Sequence, residues 1–409
     1  MNVIADLHLH SRYSRACSKD ITLQNLEKFA KLKGLNLLGT GDFQHPKWLP
    51  ELKKELVDNG KGILHTKTGF PFILQTEISL IYTQDGKGRR IHNLVLAPNF
   101  EVADQIVEYF LKKGRIDYDG RPIFKTPCPQ FVEELRKISQ DIEIIPAHAW
   151  TPWFSVFGSM SGFNSLKDCF QEQTKHIHAI ETGLSSDPGM NRRLSQLDNI
   201  TLLSFSDSHS HWPWRIGREA TIFEMNELSY AELIKAIKEN KTETLEYFPE
   251  EGKYHFDGHR ACGTSMNPKE SNAVKKICPA CKKPMTIGVA SRVEELADRE
   301  EPKNARPYKN LIPLSEIISH IIGAPIASKK TWEQYYKLIQ AFGNEITVLS
   351  ATSEELAKHV DIKLANAIAR ATTIQWKPGY DGVYGVPLFE NAPHEEKRAP
   401  IKQTDLASW

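Results

Sequence analysis

The 409 residues hold no apolar run long enough to span a membrane, and no leader of the secretory kind opens the chain. Cysteine is scarce, 6 in all, and Cys17, Cys128 and Cys169 follow no pairing pattern. These absences argue against a membrane protein or a disulfide-built secreted scaffold and predict reduced thiols in an intracellular, cytoplasmic protein. Charge of one sign is lacking too: 52 Lys and Arg against 51 Asp and Glu leave +1, so bulk composition announces no nucleic-acid partner.

What is present is a recurrent pairing of apolar runs with metal-capable residues. Val3-Ile4-Ala5 leads into Asp6-Leu7-His8-Leu9-His10, and alternation along a strand turns His8 and His10 to one side. Leu35–Leu38 leads through Gly39-Thr40-Gly41 to Asp42, Phe72–Thr76 to Glu77, Glu143–Ala147 to His148, and Ile200–Ser206 to Asp207-Ser208-His209. Helical patterns lie between some of these runs, as over Leu23 to Lys33 with Leu23, Leu26, Phe29 and Ala30 on one face. Strands alternating with helices predict a largely parallel α/β sheet, often a barrel, with its chemistry at the strands' C-terminal ends.

His92 starts its run, Ile91–Leu96, instead of ending it. A hairpin about Gln84-Asp85-Gly86-Lys87-Gly88 accounts for this, and antiparallel pairing then predicts His92 opposite Glu77.

The ordered set His8-x-His10, Asp42, Glu77, His92, His148 and Asp207-x-His209 resembles the metal-site motifs of the polymerase and histidinol phosphatase (PHP) phosphoesterases, over roughly residues 1–245. The resemblance implies a distorted (βα)7-type PHP barrel holding two or three metal ions, with Glu77 bridging two of them. Many members read Thr-Asp-His in the second motif, whereas this chain reads Thr40-Gly41-Asp42-Phe43-Gln44-His45, leaving Asp42, His45 or both for a third ion. Four carboxylates (Asp6, Asp42, Glu77, Asp207) crowded at one site would repel one another without cations. Divalent cations there acidify water and neutralise phosphoryl charge, which makes phosphoester hydrolysis the natural reaction, with C–N or C–C hydrolysis second. Asp207 and Glu77 are the expected catalytic residues, with Zn²⁺, or Mg²⁺ or Mn²⁺, in the active site.

A second module is expected at 246–301. His259-x-x-Cys262 and Cys278-Pro279-Ala280-Cys281 supply four ligands at zinc-knuckle spacing, with His255 an alternative to His259 and a redox pair the competing reading. Lys253, Arg260, Lys269, Lys275, Lys276, Lys282, Lys283 and Arg292 face only Asp257 and Glu270 in this stretch, so the module reads as a phosphate-backbone clamp or a solvated basic face.

From 302 to 390 the pattern turns helical. Ser350–Leu356 is an N-capped start, and the stretch to Ala371 resembles a helix-hairpin-helix unit whose hairpin, Val360-Asp361-Ile362-Lys363, lacks the usual glycines. Pro378-Gly379-Tyr380-Asp381-Gly382-Val383-Tyr384-Gly385 forms a Gly-rich loop whose tyrosines stack on bases or simply pack. A tail at 391–409 reads as disordered, and Gln403-x-x-Leu406-x-x-Trp409 within it resembles the peptide that docks on the sliding clamp (PCNA).

Barrel, basic zinc module and helical module in this order are together similar to the endonuclease Q family over nearly the whole chain. The resemblance implies a DNA-repair nuclease, nucleoid-associated in the cytoplasm, that nicks 5′ to hypoxanthine, uracil, xanthine or an abasic site. A lesion endonuclease must extrude and inspect a nucleotide. Trp150, Trp153 and Ser159, on the segment leaving His148, and Arg218, after the last motif, are the expected substrate-binding residues, with a hydrophobic lid as the competing role of the tryptophans.

Overall fold

The apolar runs become the strands of one ring. In the computed structural model, which describes residues 1–389, β1 (Asn2–Asp6) pairs in parallel with β2 (Leu37–Gly39), and β2 with β3 (Pro71–Gln84). The chain turns at Asp85-Gly86, both at positive φ, and returns as β4 (Lys87–Ala97), which pairs antiparallel with β5 (Glu143–Pro146). Asp-Gly at such a turn matches the right-handed twist of its strands. Past β5 the Ala149 amide donates to the carbonyl of Glu181, the last residue of β6 (Ala179–Glu181), at 2.9 Å; β6 pairs in parallel with β7 (Thr201–Leu203). The ring closes where Ser208 N–H donates to His8 O at 3.2 Å and His10 N–H to Ser208 O at 3.0 Å.

Val3, Ala5, Leu37, Ile73, Leu94, Leu96, Ile145, Ala179 and Leu203 form one buried apolar cluster to which every ring strand contributes. The ring interior is therefore packed, and chemistry is confined to its mouth. Outside it, Leu23–Lys33 is the amphipathic helix that its spacing predicts. Thr22 Oγ1 caps it by accepting from Asn25 N–H at 3.1 Å, and Gly34 at φ 101° ends it.

The sheet departs from a parallel one in two places. The hairpin inserts antiparallel pairs, and β8 (Ala220–Glu224) runs antiparallel to β1, extended by β9 (Thr242–Glu246). The cysteine-bearing stretch carries the hairpin β10 (Asp257–His259) and β11 (Thr264–Met266). β12 (Tyr308–Asn310) then pairs in parallel with β9, so the start of the segment expected to be helical instead adds an edge strand to the barrel sheet. Helices Leu314–Ile322, Lys329–Phe342, Glu345–Leu349, Ser353–Leu356 and Ile362–Ala369 follow. No helix among the described residues is long and apolar enough to cross a membrane.

The helical module is tied to the barrel by one buried ion pair. Lys33 Nζ, at the end of the first helix, donates to Glu345 Oε1 at 2.7 Å and to Pro213 O at 2.8 Å. Glu345 also accepts from Leu314 N–H and from the Tyr335 hydroxyl, each at 2.9 Å. Beside it Trp212 stacks on Trp214, and both meet Trp332 at 5.4 and 5.6 Å between ring centroids. The tryptophans after Asp207-x-His209 thus pack against the helix that carries Trp332.

Candidate metal centre

Two histidine sets meet on one carboxylate. His8 Nε2 and His10 Nε2 lie 3.7 and 3.3 Å from Glu77 Oε2, and 3.4 and 3.2 Å from Asp207 Oδ1. On the other side His92 Nδ1 and His148 Nε2 lie 2.6 and 3.1 Å from Glu77 Oε1. Within each set the ligand atoms fall inside 4.8 Å of one another, and Glu77 belongs to both. One oxygen toward each set is the geometry of a bridging carboxylate.

The register that produces it differs from the expected one. Glu77 pairs with Leu94 and His92 with Ser79, because the turn is centred on Asp85-Gly86, one residue further along the chain than a Glu77–His92 pairing requires. Residues two apart on a strand share a face, so His92 reaches Glu77 diagonally. β3 also runs on to Gln84, which puts Glu77 inside a strand and not at its end.

The residues present fit divalent cations. His8 Nε2, His10 Nε2, Glu77 Oε2 and Asp207 Oδ1 are buried with no hydrogen-bond partner, and these four atoms converge. Leaving them so costs free energy that a cation would recover. The opposite ring nitrogens are anchored: Glu181 takes His8 Nδ1 at 2.9 and 3.0 Å, and Asp42 takes His10 Nδ1 at 2.9 Å. A carboxylate behind each imidazole fixes its orientation and makes it a stronger ligand.

Charge follows the same logic. Burial pulls against protonation of His8, yet Glu181, Asp207 and Glu77 raise its pKa well above the usual imidazole value. Glu77 and Asp207 are driven well below the carboxylate range by His92 and His8 respectively, against the burial that opposes ionisation. His92 and His209 fall to about 4, mainly through burial. Asp42, His148 and Asp207 hold φ of 38°, 30° and 47°, in the left-handed region that side chains other than glycine's rarely adopt. Backbone strain of this kind collects where function fixes a side chain's direction.

Not every expected residue joins the clusters. Both Asp42 oxygens are committed, Oδ1 at His10 and Oδ2 to the Ser11 amide at 2.7 Å, so Asp42 orients a ligand here. His45 stacks on Tyr13, centroids 4.8 Å apart, and lies outside both sets. His209 lies 4.5 Å ring to ring from His10, with Nδ1 3.2 Å from Asp207 O. Asp6 accepts from the Ser206, Gly217 and His8 amides and so braces the barrel mouth instead of adding a ligand.

The expected base-binding residues also separate. Trp150 is a core residue, 1% exposed, with its indole N–H donating to Asn191 Oδ1 at 2.7 Å, and it offers no face to a base. Arg218 spends its guanidinium on Ser206 O at 3.2 and 2.9 Å, fixing the backbone just ahead of Asp207. Trp153 is half-buried against Tyr254, and Ser159 lines an open groove of about 1130 Å³ with Lys87, Arg89 and Arg292. Arg292, from the helix that follows the Cys278–Cys281 pair, donates to Phe157 O and Phe163 O at 3.0 and 3.1 Å and so braces the Ser159 loop.

Glu181 was missed in the sequence, although it follows the same rule as the others, closing the run Ile177-His178-Ala179-Ile180. Arg121, whose Nε is 3.6 Å from Glu77 Oε2, was missed as well. In the second module His259, Cys262, Cys278 and Cys281 gather as a third candidate set. His255 is buried elsewhere, its pKa pushed down to about 4 by that burial, and does not replace His259. The Thr264 hydroxyl and the Cys281 amide draw the Cys278 thiol down to about 6, toward the thiolate a metal binds.

In the helical module, Asp361 Oδ1 accepts from Lys363 N–H at 2.8 Å and occupies the helix start where a phosphate would sit. Tyr380 packs over Gly258 while Tyr384 is exposed. The clamp-like Gln403, Leu406 and Trp409 lie outside the described residues.

A seven-stranded ring with two histidine sets meeting on Glu77 at its mouth resembles the metal-dependent phosphoesterase barrels of the PHP type. The lesion-specific endonuclease PfuEndoQ of Pyrococcus furiosus is similar at TM-score 0.85 and 34% identity, covering 100% of this chain and 99% of that one. An endonuclease Q complex with a 27-mer duplex carrying an abasic lesion at the active site is similar at TM-score 0.84 and 34% identity, with 98% and 99% covered. YqxK of Bacillus subtilis is 31% identical over 409 residues, 94% of this chain and 98% of that protein. MJ0043 of Methanocaldococcus jannaschii is 36% identical over 253 residues, so the match takes in 59% of this chain but only 32% of that longer relative. Residues 313–371 match the family model of the MJ0043 C-terminal domain. The chain belongs to the endonuclease Q family.

Proposed function

We propose that this protein is a metal-dependent DNA-repair endonuclease that hydrolyses the phosphodiester 5′ to a damaged nucleotide, with hypoxanthine, uracil, xanthine and abasic sites as its lesions. The observation that carries the reading is Glu77, one oxygen toward each histidine set, in a chain that matches a lesion-specific endonuclease end to end. His8, His10, Glu77 and Asp207 would hold one divalent cation, and Glu77, His92 and His148 a second, with Asp42 and His209 the residues nearest a third. Zn²⁺, Mg²⁺ or Mn²⁺ bound there supplies acidified water and neutralises charge at phosphorus. Glu181 and Asp42 keep the imidazoles aimed, Arg218 fixes the segment bearing Asp207, and Ser159 borders the groove that takes the extruded nucleotide, with Trp153, on the same segment, a stacking face for its base.

In this reading the barrel spans 1–245, a zinc module 246–301 and a helical module 302–390. Exposed Lys269, Lys275, Lys282 and Lys283 offer the metal module's charge to the DNA backbone. The protein acts in the cytoplasm on the nucleoid, and Gln403, Leu406 and Trp409 tether it to the sliding clamp. If His259, Cys262, Cys278 and Cys281 hold structural zinc, replacing Cys278 or Cys281 by Ser releases about one zinc and unfolds the module, since such sites supply folding free energy. Elemental analysis of both variants checks this; an unchanged zinc count contradicts it.

Substrate class is tested by comparing a lesion duplex with small phosphomonoesters, before and after chelation. Nicking should vanish with chelator, return with Mn²⁺, Mg²⁺ or Zn²⁺, and exceed phosphomonoester turnover in kcat/KM. A specificity constant far higher for the monoester would make the protein a small-molecule or 3′-end phosphoesterase.

A further inference from the structure

The Gly-rich loop at 378–385 is locked onto the cysteine-bearing stretch and holds one ring outward. The Gly379 amide donates to Glu250 O at 2.8 Å, the Gly382 amide to Lys253 O at 2.8 Å and the Gly385 amide to Glu251 O at 2.9 Å, while Gly379 O accepts from the Phe256 amide at 2.9 Å. Asp381 adds two more ties, Oδ1 accepting from the Thr286 hydroxyl and Oδ2 from the Arg260 amide, each at 2.6 Å. A Cβ at Gly379 or Gly385 would run into the carbonyl oxygens of Gly252 and Glu250, so glycine is what lets the loop lie this close. Tyr380 turns inward over Gly258, and Tyr384 is left 44% exposed.

Tyr384 ends a row of rings and cations. Lys253 Nζ lies 5.9 Å from its ring centroid and 5.6 Å from that of Tyr254, so one ammonium serves two aromatic faces. Tyr254 in turn meets Trp153 edge-on, centroids 5.9 Å apart, and Trp153 stands on the segment that leaves the ligand His148. Arg260, itself exposed, brings a second cation to the loop, its Nη1 3.8 Å from where a Cβ of Gly382 would lie. The row therefore runs from the ligand-bearing segment out to solvent. Aromatic faces interleaved with positive charge suit a DNA strand with an unstacked base, because the base stacks and its phosphates are anionic. Packing accounts for Trp153 and Tyr254, which are half-buried, but not for the exposed ring of Tyr384.

We propose that Tyr384 stacks on the DNA base next to the extruded nucleotide, with Lys253 and Arg260 beside the neighbouring phosphates. This rests on the lesion-extrusion reading above. Extrusion breaks the stack on both sides of the nucleotide that leaves, and the duplex bears that cost unless the protein supplies a new face. A ring fixed before DNA arrives supplies one with little further ordering of the loop. Tyr384 is a positioning residue: it belongs to neither ligand set and changes no bond, and it acts by holding the distorted duplex in place.

The test compares the full-length protein with Tyr384→Ala and Tyr384→Phe on an abasic duplex, on an undamaged duplex of the same sequence, and on abasic duplexes carrying 2-aminopurine on either side of the lesion. Binding and fluorescence are read in chelator and nicking kinetics with metal; melting temperature and metal content are measured alongside. Tyr384→Ala should bind the abasic duplex about tenfold more weakly, as the loss of one stacked base allows, and should raise KM for nicking while kcat changes by less than about threefold. Its affinity for undamaged duplex, its melting temperature and its metal content should stay as they are. Tyr384→Phe keeps the aromatic face and should match the original protein within about twofold. With 2-aminopurine at one flanking position, the original protein's complex should be dimmer than that of Tyr384→Ala, because a stacked probe is quenched. Equal abasic affinity and equal probe emission from all three proteins would overturn the proposal and leave the ring to a protein partner. Equal weakening on damaged and undamaged duplex, or a fall in melting temperature shared by both variants, would overturn it too, the first assigning Tyr384 to the DNA backbone and the second to packing. Should the original protein bind abasic duplex yet nick none, the nuclease reading falls while the probe still decides the role of Tyr384. No preference of the original protein for abasic over undamaged duplex would overturn both.

Discussion

Asp207→Asn is expected to abolish lesion nicking, by about three orders of magnitude or ~4 kcal/mol of barrier, while the protein stays folded and still binds DNA. The substitution keeps shape and removes one charge. Asp207 Oδ1 is one of four buried, unpartnered ligand atoms, 3.4 and 3.2 Å from His8 and His10 Nε2, and it supplies one of the two carboxylates of that set. Its removal leaves a cation facing two imidazoles and one shared oxygen of Glu77. The second set, Glu77 with His92 and His148, keeps all its atoms, so metal analysis should show partial and not complete loss. Nicking kinetics with elemental analysis on the purified variant read both outcomes, and near-normal cutting would remove Asp207 from the metal set.

Lys33→Met is expected to lower folding stability by about 3–5 kcal/mol. Lys33 is 2% exposed and its ammonium meets Glu345, itself 0% exposed, with Pro213 O as its other partner. Taking the cation away strands a buried carboxylate, which the Leu314 amide and Tyr335 hydroxyl only partly satisfy. Adding Glu345→Gln should recover a good part of the loss, because the amide carries no charge to desolvate. Urea unfolding of the single and double variants measures the difference. A single-variant loss under about 1 kcal/mol would mean that the pair contributes no more than a surface ion pair does.

Much of the site could be read from the chain because one rule recurs: an apolar run delivers a metal-capable residue to the ring's mouth. His8, His10, Asp42, His148 and Asp207 all follow it, and so does Glu181, overlooked because it carries no histidine motif beside it. What resisted was long-range geometry. The hairpin register slipped by two, since nothing in the sequence separates a turn centred on Asp85-Gly86 from one centred a residue earlier, and only diagonal contact brings His92 to Glu77. Arg121 gave no signal at all, because a two-residue strand paired across forty positions sets its place. Trp150 and Arg218 show the converse error. An aromatic or cationic residue beside a ligand motif looks available in sequence, whereas buried hydrogen bonds to Asn191 and Ser206 commit both to the fold. The parallel sheet expected from alternating strands and helices was interrupted where β8 turned back along β1, a pairing that no local pattern announces.

End-labelled duplexes bearing one abasic site, uracil or hypoxanthine, incubated with metal-loaded protein and resolved to the nucleotide, test the central claim most directly. The account predicts a single nick at the phosphodiester 5′ to the lesion, absent from undamaged duplex and from chelator-treated protein. Cutting of undamaged duplex at an equal rate, or resection from the 3′ end without an internal nick, would contradict it.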